Sequence, residues 1–320
     1  LITGLSPVPL QQPRIRDKQA SAEREVFNSS ILPKSLRKTK SIEKLVPWLY
    51  LKDISTNDFP EALQTLLGKD ANGFSASTII RLKSVGQAEY DEWSMRSLAG
   101  KRYVYLSADG IHSNIRFNDN EGRSADENRQ CLLVLMGATA DGTKELIAVV
   151  DGARESEWSW KEPLLNLKAH GLRHAPQLAV GDGALGFWKA LSKVFPTTRV
   201  ERCTVHKTAN VLDKLPRVLH RPEVECVQPQ AKRILHQICD APKKEEADKA
   251  FDLFINTFEV KHSVAVECLK KDLDVLLTFY DFPSENWCHI RTTNPIESPF
   301  ATIHLRHRKQ RTTEVPEHRC

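Results

Sequence analysis

The sequence predicts an α/β fold: a mixed sheet flanked by helices, with a helical region ahead of it and an all-helical segment inserted after it. Three observations carry this. Strand patterns cluster between residues 102 and 150. Strand and helix patterns then alternate from 157 to 203, and beyond Cys203 only the 3.6-residue helical period remains.

Residues 1–40 are rich in Pro, Ser, Arg and Lys with little periodicity, which reads as a basic arm or loop. Residues 41–98 read as helical. Ser41-Ile-Glu-Lys opens one helix, Ser55-Thr-Asn-Asp-Phe-Pro-Glu caps a second, and Ser75-Ala-Ser-Thr-Ile-Ile-Arg-Leu-Lys begins a third. Short capped helices in tandem form either a small DNA-binding unit or a plain helical subdomain. Residues 99–206 hold the sheet. Arg102–Ala108, Ile111–Phe117, Cys131–Thr139 and Lys144–Val150 read as strands, and Asp141-Gly142 marks a hairpin between the last two. An amphipathic helix from about Glu157 to His170, a buried strand at Pro176–Gly181, a helix from Ala184 to Val194 and a strand at Thr198–Cys203 complete this core. Residues 207–285 read as a helical insertion, with Phe251, Phe254, Ile255 and Phe258 on one stripe and Leu269, Leu273, Leu276, Leu277 and Tyr280 on another. The segment 286–309 carries a final helix, expected to start with Asn294 as N-cap and Pro295 in the first turn, and 310–320 is a tail.

Composition narrows the function classes. With 40% hydrophobic and 27% charged residues, the 320-residue chain has the make-up of a soluble globular protein. It has no run of eighteen apolar residues and no secretory leader pattern, so the expected location is the cytoplasm with no membrane partner. Seven cysteines, an odd number without framework spacing, read as reduced thiols. Residues 14–52 carry ten basic against four acidic side chains, and 299–320 five against two, around a nearly neutral middle. Basic flanks of this kind suit a polyanion partner and also occur on exposed tails.

Three acidic residues occupy suggestive places: Asp109 in YLSADGIH, Asp182 in LAVGDGALGFW and Glu297 in TTNPIES. Two would lie on neighbouring strands and the third in the first turn of the last helix, an oxygen-rich set suited to Mg²⁺. Two such ions, roughly 3.5–4 Å apart, activate an attacking oxygen and stabilise a leaving one. Each residue also has a structural alternative. Asp109-Gly110 matches a hairpin turn, Asp182 an N-cap, and Glu297 the capping-box position three residues after Asn294.

The stretches RYVYLSADGIH, CLLVLMGATADGTKELIAVVDGARESEWSW, LAVGDGALGFWKAL, ERCTVHKTANVL and RTTNPIESPFATIHLRHRK resemble, in order, the signature blocks of Mutator-type bacterial insertion-sequence transposases of the DDE superfamily. The resemblance runs from about Pro13 to Lys309. It implies a ribonuclease-H-like catalytic core with an all-helical insertion before the last catalytic Glu. It further implies a DDE triad of Asp109, Asp182 and Glu297 holding two Mg²⁺ or Mn²⁺ ions. The implied activity is DNA transposition: water attacks a phosphodiester at the element end, and the freed 3′-hydroxyl then attacks target DNA. Partners would be double-stranded DNA and further copies of the chain.

Cys203 and His206 match the family's Cys-x-x-His element. One such pair is a weak zinc signal, because a structural site needs four ligands. His220, Cys226, His236 and Cys239 are near enough in sequence to complete one, and the reading taken is a zinc-free role in shaping the active site. Trp188 supports the site by packing on the sheet or stacking on a base. Lys207, Arg306, Arg308 and Lys309 are expected to meet DNA phosphates. The resemblance also implies a chain shortened at both ends, with an out-of-frame tail after Lys309, which leaves an inactive DNA-binding remnant as the rival reading. A ribonuclease-H-like nuclease without strand transfer would explain the triad alone.

If the basic flanks hold DNA, duplex affinity falls steeply with salt, each phosphate contact adding about 0.9 to the log–log slope. Removing residues 1–40 is expected to flatten that slope in a fluorescence titration; an unchanged slope would make the arm a bystander.

Overall fold

The computed structural model describes residues 76–116, 129–152, 156–216, 227–298 and 300. Helix α1 (Ala76–Ser94) belongs mostly to one compact unit. It runs well past Lys83, where the sequence pattern faded. The first two expected helices, at Ser41 and Ser55, lie outside the described residues.

The second compact unit, Ser94–Ala301, holds the sheet and the helices around it. Its strands are β1 (Tyr103–Arg116), β2 (Arg129–Thr139), β3 (Lys144–Gly152), β4 (Leu178–Gly181) and β5 (Arg199–Arg202). They lie in the order β3-β2-β1-β4-β5. The first three are antiparallel neighbours, whereas β4 runs parallel to β1 and β5 parallel to β4. The expected mixed α/β sheet is therefore present. Gly142, at φ 86°, takes the left-handed conformation that the β2–β3 turn needs, and the Thr139 and Thr143 hydroxyls donate to the Asp141 carboxylate beside it.

One expectation is corrected here. Asp109-Gly110 is no turn: Tyr103–Arg116 is a single strand, in which Asp109 pairs with Val134 and Gly110 with Leu133. A local turn signal loses to a long β2 ladder that satisfies the backbone on both sides of it.

Alternation along the strands divides the core. On one face Leu106, Ala108, Leu133, Leu135 and Ala179 pack beneath α2 (Glu157–Ala169) and α3 (Leu185–Val194). Helix α2 starts where Ser156 accepts the Ser159 N–H at 3.1 Å, and α3 buries Phe187, Ala190, Leu191 and Val194 at helical spacing. Trp160 and Phe187 meet edge to face, 5.0 Å between centroids. On the other face Tyr105, Leu178 and Val180 pack against the helical segment.

That segment consists of α4 (Thr204–Leu212), α5 (Val227–Cys239), α6 (Lys244–Phe258), α7 (Ser263–Lys270) and α8 (Leu273–Leu276). Two 3₁₀ turns follow at Thr278–Asp281 and Ser284–Asn286, then α9 (Trp287–Ile290). Among the described residues after β5 there is no strand, as the helical period predicts. The stripe from Leu269 to Tyr280 is broken into α7, α8 and a 3₁₀ turn instead of forming one helix. Glu201 of β5 explains part of this. Buried fully, it accepts the Phe279 N–H at 2.8 Å and so ties the 3₁₀ turn to the sheet. Burial drives its carboxyl well above the usual range.

Phe254 is fully buried and meets Phe258 at 4.7 Å in this second core. Phe254→Ala should lower unfolding free energy by about 3–5 kcal/mol in urea titrations, as large-to-small core changes do.

Candidate active site

Sheet register builds the site. The last pair of the parallel β1–β4 ladder is Ser107↔Val180, so two residues further along each strand stand Asp109 and Asp182. The β4–β5 ladder ends on Gly181↔Arg202, which brings Cys203 to the level of Asp182, and its N–H donates to Gly181 O at 2.8 Å. Three neighbouring strands thus present Asp109, Asp182 and Cys203 at one height. Helix α4 begins immediately afterwards and carries His206 in its first turn.

Glu297 arrives from the helix that begins at residue 294. Its start was expected at Asn294, but the carbonyl accepting the first N–H groups is that of Thr293, from Ile296 at 2.8 Å and Glu297 at 3.4 Å. Thr293 is therefore the N-cap, and Glu297 falls one place beyond the capping-box position. The shift has a tertiary cause. Thr293 is fully buried, its N–H and hydroxyl lie 3.4 and 3.5 Å from Cys203 Sγ, and the hydroxyl lies 3.4 Å from His206 Nδ1. The helix carrying Glu297 is thereby tied to the Cys-x-x-His element.

Ligand atoms of Asp109, His206 and Glu297 all lie within 4.8 Å of one another, close enough to hold a metal ion. Asp182 stands outside that group. One of its oxygens accepts the Ala184 N–H at 2.8 Å in an Asx turn leading into α3, so the residue keeps a local structural bond without being the N-cap. Its charge nevertheless acts on the group. Asp109 is 9% exposed, and among the described residues its own neighbour's N–H, from Gly110 at 3.0 Å, is the one donor to it. Burial above all, helped by the charges of Asp182 and Glu297 and opposed by His206, raises its carboxyl from 3.8 to about 7.

His206 supplies the opposite sign. The hydrogen bond with Cys203, together with the charges of Cys203, Asp109 and Asp182, outweighs burial and lifts its imidazole to about 9. For Cys203 burial raises the thiol, but the hydrogen bonds from His206 and Thr293 overcome it and leave a net lowering. The hydrogen-bonded pair thus stands beside the carboxylates with its positive charge on His206. Mutually repelling carboxylates gathered around a buried one are a donor set that a divalent cation suits.

The remaining expectations divide. Trp188 is half-buried and packs on the strand at Gly181, where an added Cβ would stand 3.0 Å from its ring. Lys207 is corrected: at 3% exposure its ammonium is bound by Asp272 at 2.8 Å and by the Cys268 carbonyl, so it offers nothing to a phosphate at the surface. Arg306, Arg308 and Lys309 lie outside the described residues, as do His220 and Cys226. Among the described residues no cluster joins Cys203 and His206 to His236 and Cys239 as a zinc site would require. Sequence reasoning missed Thr293 and Arg202, because neither residue type nor spacing signals a bond formed only in the folded chain.

The site is an acidic cluster able to hold a cation, set where β4 and β5 end beside the middle of β1. The chain belongs to the Mutator family of transposases, whose sequence model matches residues 1–318. The transposase for insertion sequence element IS6120 of Mycolicibacterium smegmatis is 46% identical over 265 residues, 83% of this chain and 76% of that protein. The transposase for element IST2 of Acidithiobacillus ferrooxidans is 46% identical over 259 residues, 79% of each. Among solved structures, the HTLV-2 integrase catalytic core domain is 17% identical over 46% of this chain and 90% of its own, with a TM-score of 0.21, a likeness too loose to decide the fold.

Asp109 binds its proton more tightly folded than unfolded, so without metal its contribution to stability falls as pH rises from about 3.8 to about 7. Asp109→Asn should therefore raise the metal-free melting temperature at pH 8 by roughly 5 °C. The same variant should abolish the further rise that Mn²⁺ gives the wild-type protein; calorimetry at pH 8 checks both.

Proposed function

We propose that the chain is a DNA transposase of the DDE type, cutting DNA strands at insertion-sequence ends and joining them to target DNA. The observation that carries this reading is the approach of the Asp109 and Glu297 ligand atoms to within 4.8 Å, from residues far apart in sequence, with Asp182 at the same sheet level. Membership of the transposase family supports the same chemistry. The strand order β3-β2-β1-β4-β5, followed by an all-helical segment before Glu297, supports a ribonuclease-H-like core.

In this reading Asp109, Asp182 and Glu297 hold two Mg²⁺ or Mn²⁺ ions. When bound, the ions supply activation of the attacking oxygen and stabilisation of the leaving one. The protein's part is placement. The Gly110 N–H fixes one Asp109 oxygen and leaves the other for the site, and the Ala184 N–H does the same for Asp182. Glu297 is exposed, so its side of the site is open to a DNA strand. The His206 imidazolium offsets carboxylate charge, and Thr293 and Cys203 hold the Glu297 helix against α4. Double-stranded DNA, as element ends and as target, is the substrate, and a second copy of the chain is the partner that paired-end cutting calls for.

The test is conversion of supercoiled plasmid to nicked circles with Mn²⁺, comparing the chain with Asp182→Ala. Weak, sequence-indifferent nicking that the variant loses by about a hundredfold or more is the expected result, since misplacing one catalytic group by about 1 Å already costs that much. Equal survival of the plasmid with both proteins would remove the catalytic reading and leave a DNA-binding remnant.

A further inference from the structure

Arg202 ends β5 and is 5% exposed, although no step of the proposed chemistry uses it. Across the ladder it pairs with Gly181, the residue before Asp182. Its guanidinium lies against the backbone just after Asp182. A Cβ built on Gly183 would stand 1.7 Å from Arg202 Nη1 and 2.2 Å from Cζ. Gly183 also has φ 89°, a conformation that a side chain would strain. The turn that carries Asp182 is thus moulded around a buried cation.

The charge is held from the far side by the helical insertion. Asp272, between α7 and α8, has Oδ2 3.5 Å from Arg202 Nε and 2.8 Å from Lys207 Nζ. Arg202 Nε and Nη1 make no hydrogen bond, so packing against Gly183 and attraction to Asp272 hold the group, not a fork of hydrogen bonds. A cation this deeply buried is costly without its counter-charge. One carboxylate of the insertion therefore restrains two cations, one beneath the Asp182 turn and one beside His206.

We infer that Arg202, anchored by Asp272, is a positioning residue: it forms the bed on which the Asp182–Gly183 turn rests, so the helical insertion sets where the Asp182 carboxylate stands relative to Asp109. This rests on Asp182 being a metal-holding carboxylate, as proposed above. Supporting residues of metal ligands typically change metal affinity by roughly 10- to 100-fold when lost, whereas a purely structural arginine would change stability alone.

The test uses the full chain with two conservative variants. Asp272→Asn removes the anchoring charge at constant volume, and Arg202→Lys keeps the charge but loses the flat guanidinium. Mn²⁺ binding is titrated calorimetrically without DNA, DNA affinity is measured in EDTA, and folding is checked by thermal melting. Asp182→Ala is measured alongside. Mn²⁺ affinity is expected to fall about tenfold or more in both variants, with DNA affinity unchanged. A lowered melting temperature with wild-type Mn²⁺ affinity in either variant would mark a merely structural role and overturn the inference, provided Asp182→Ala loses Mn²⁺ binding. If Asp182→Ala also binds Mn²⁺ like the wild type, the reading of Asp182 falls and takes this one with it.

Discussion

Like charges must be held together around one buried carboxylate, and much of the protein around the site follows from that constraint. Asp109 sits mid-strand in a buried position, with Glu297 within metal-sharing distance and the charge of Asp182 bearing on it. Left alone, such a cluster would take up protons or push its members apart. The chain counters with rigid anchors: the β1–β2 ladder for Asp109, an Asx turn for Asp182 and a buried N-cap for Glu297. It also supplies its own positive charge in His206, whose imidazole the neighbouring Cys203 keeps protonated.

The Cys-x-x-His element thereby acquires a physical account without zinc. Cys203 is fully buried at the end of β5, where its sulfur meets His206 on one side and Thr293 on the other. A single thiol connects the sheet, the start of α4 and the start of the Glu297 helix. Hydrogen bonds to sulfur are individually weak, but here they fix three elements whose relative placement decides whether the carboxylates meet.

The helical insertion serves the sheet as more than a cover. Its apolar stripes bury one sheet face, as ordinary packing requires. Two polar ties run back into β5 as well: Glu201 to the Phe279 N–H, and Arg202 to Asp272. Buried polar contacts of this kind add little net stability, because desolvation offsets most of their gain. Their value is directional, since they fix which residues of the insertion face the end of the sheet.

Much of the architecture was legible in the sequence because it depends on periodicity, a local property. The Asp141-Gly142 hairpin, the stripe at Phe251–Phe258 and the short apolar run at 178–181 each specify an element from local sequence alone. The candidate carboxylates were legible through the resemblance, not through spacing, which left a structural alternative for each. Tertiary structure decided the local backbone setting of each residue. Asp109-Gly110 carries a turn signature, yet β2 keeps it extended, because ladder pairing on both flanks of the dipeptide outweighs one local preference. Asn294-Pro295 has the right chemistry to start a helix, but Thr293 starts it, because the buried Cys203 sulfur lies within reach of its backbone and hydroxyl. Lys207 reads as a DNA contact beside His206, but its helical phase turns it inward onto Asp272, some sixty residues away in the chain. Local pattern determined which elements form and which faces they bury. Which charges come to face one another was decided only by folding, because that depends on contacts between residues remote in sequence, which no local spacing encodes.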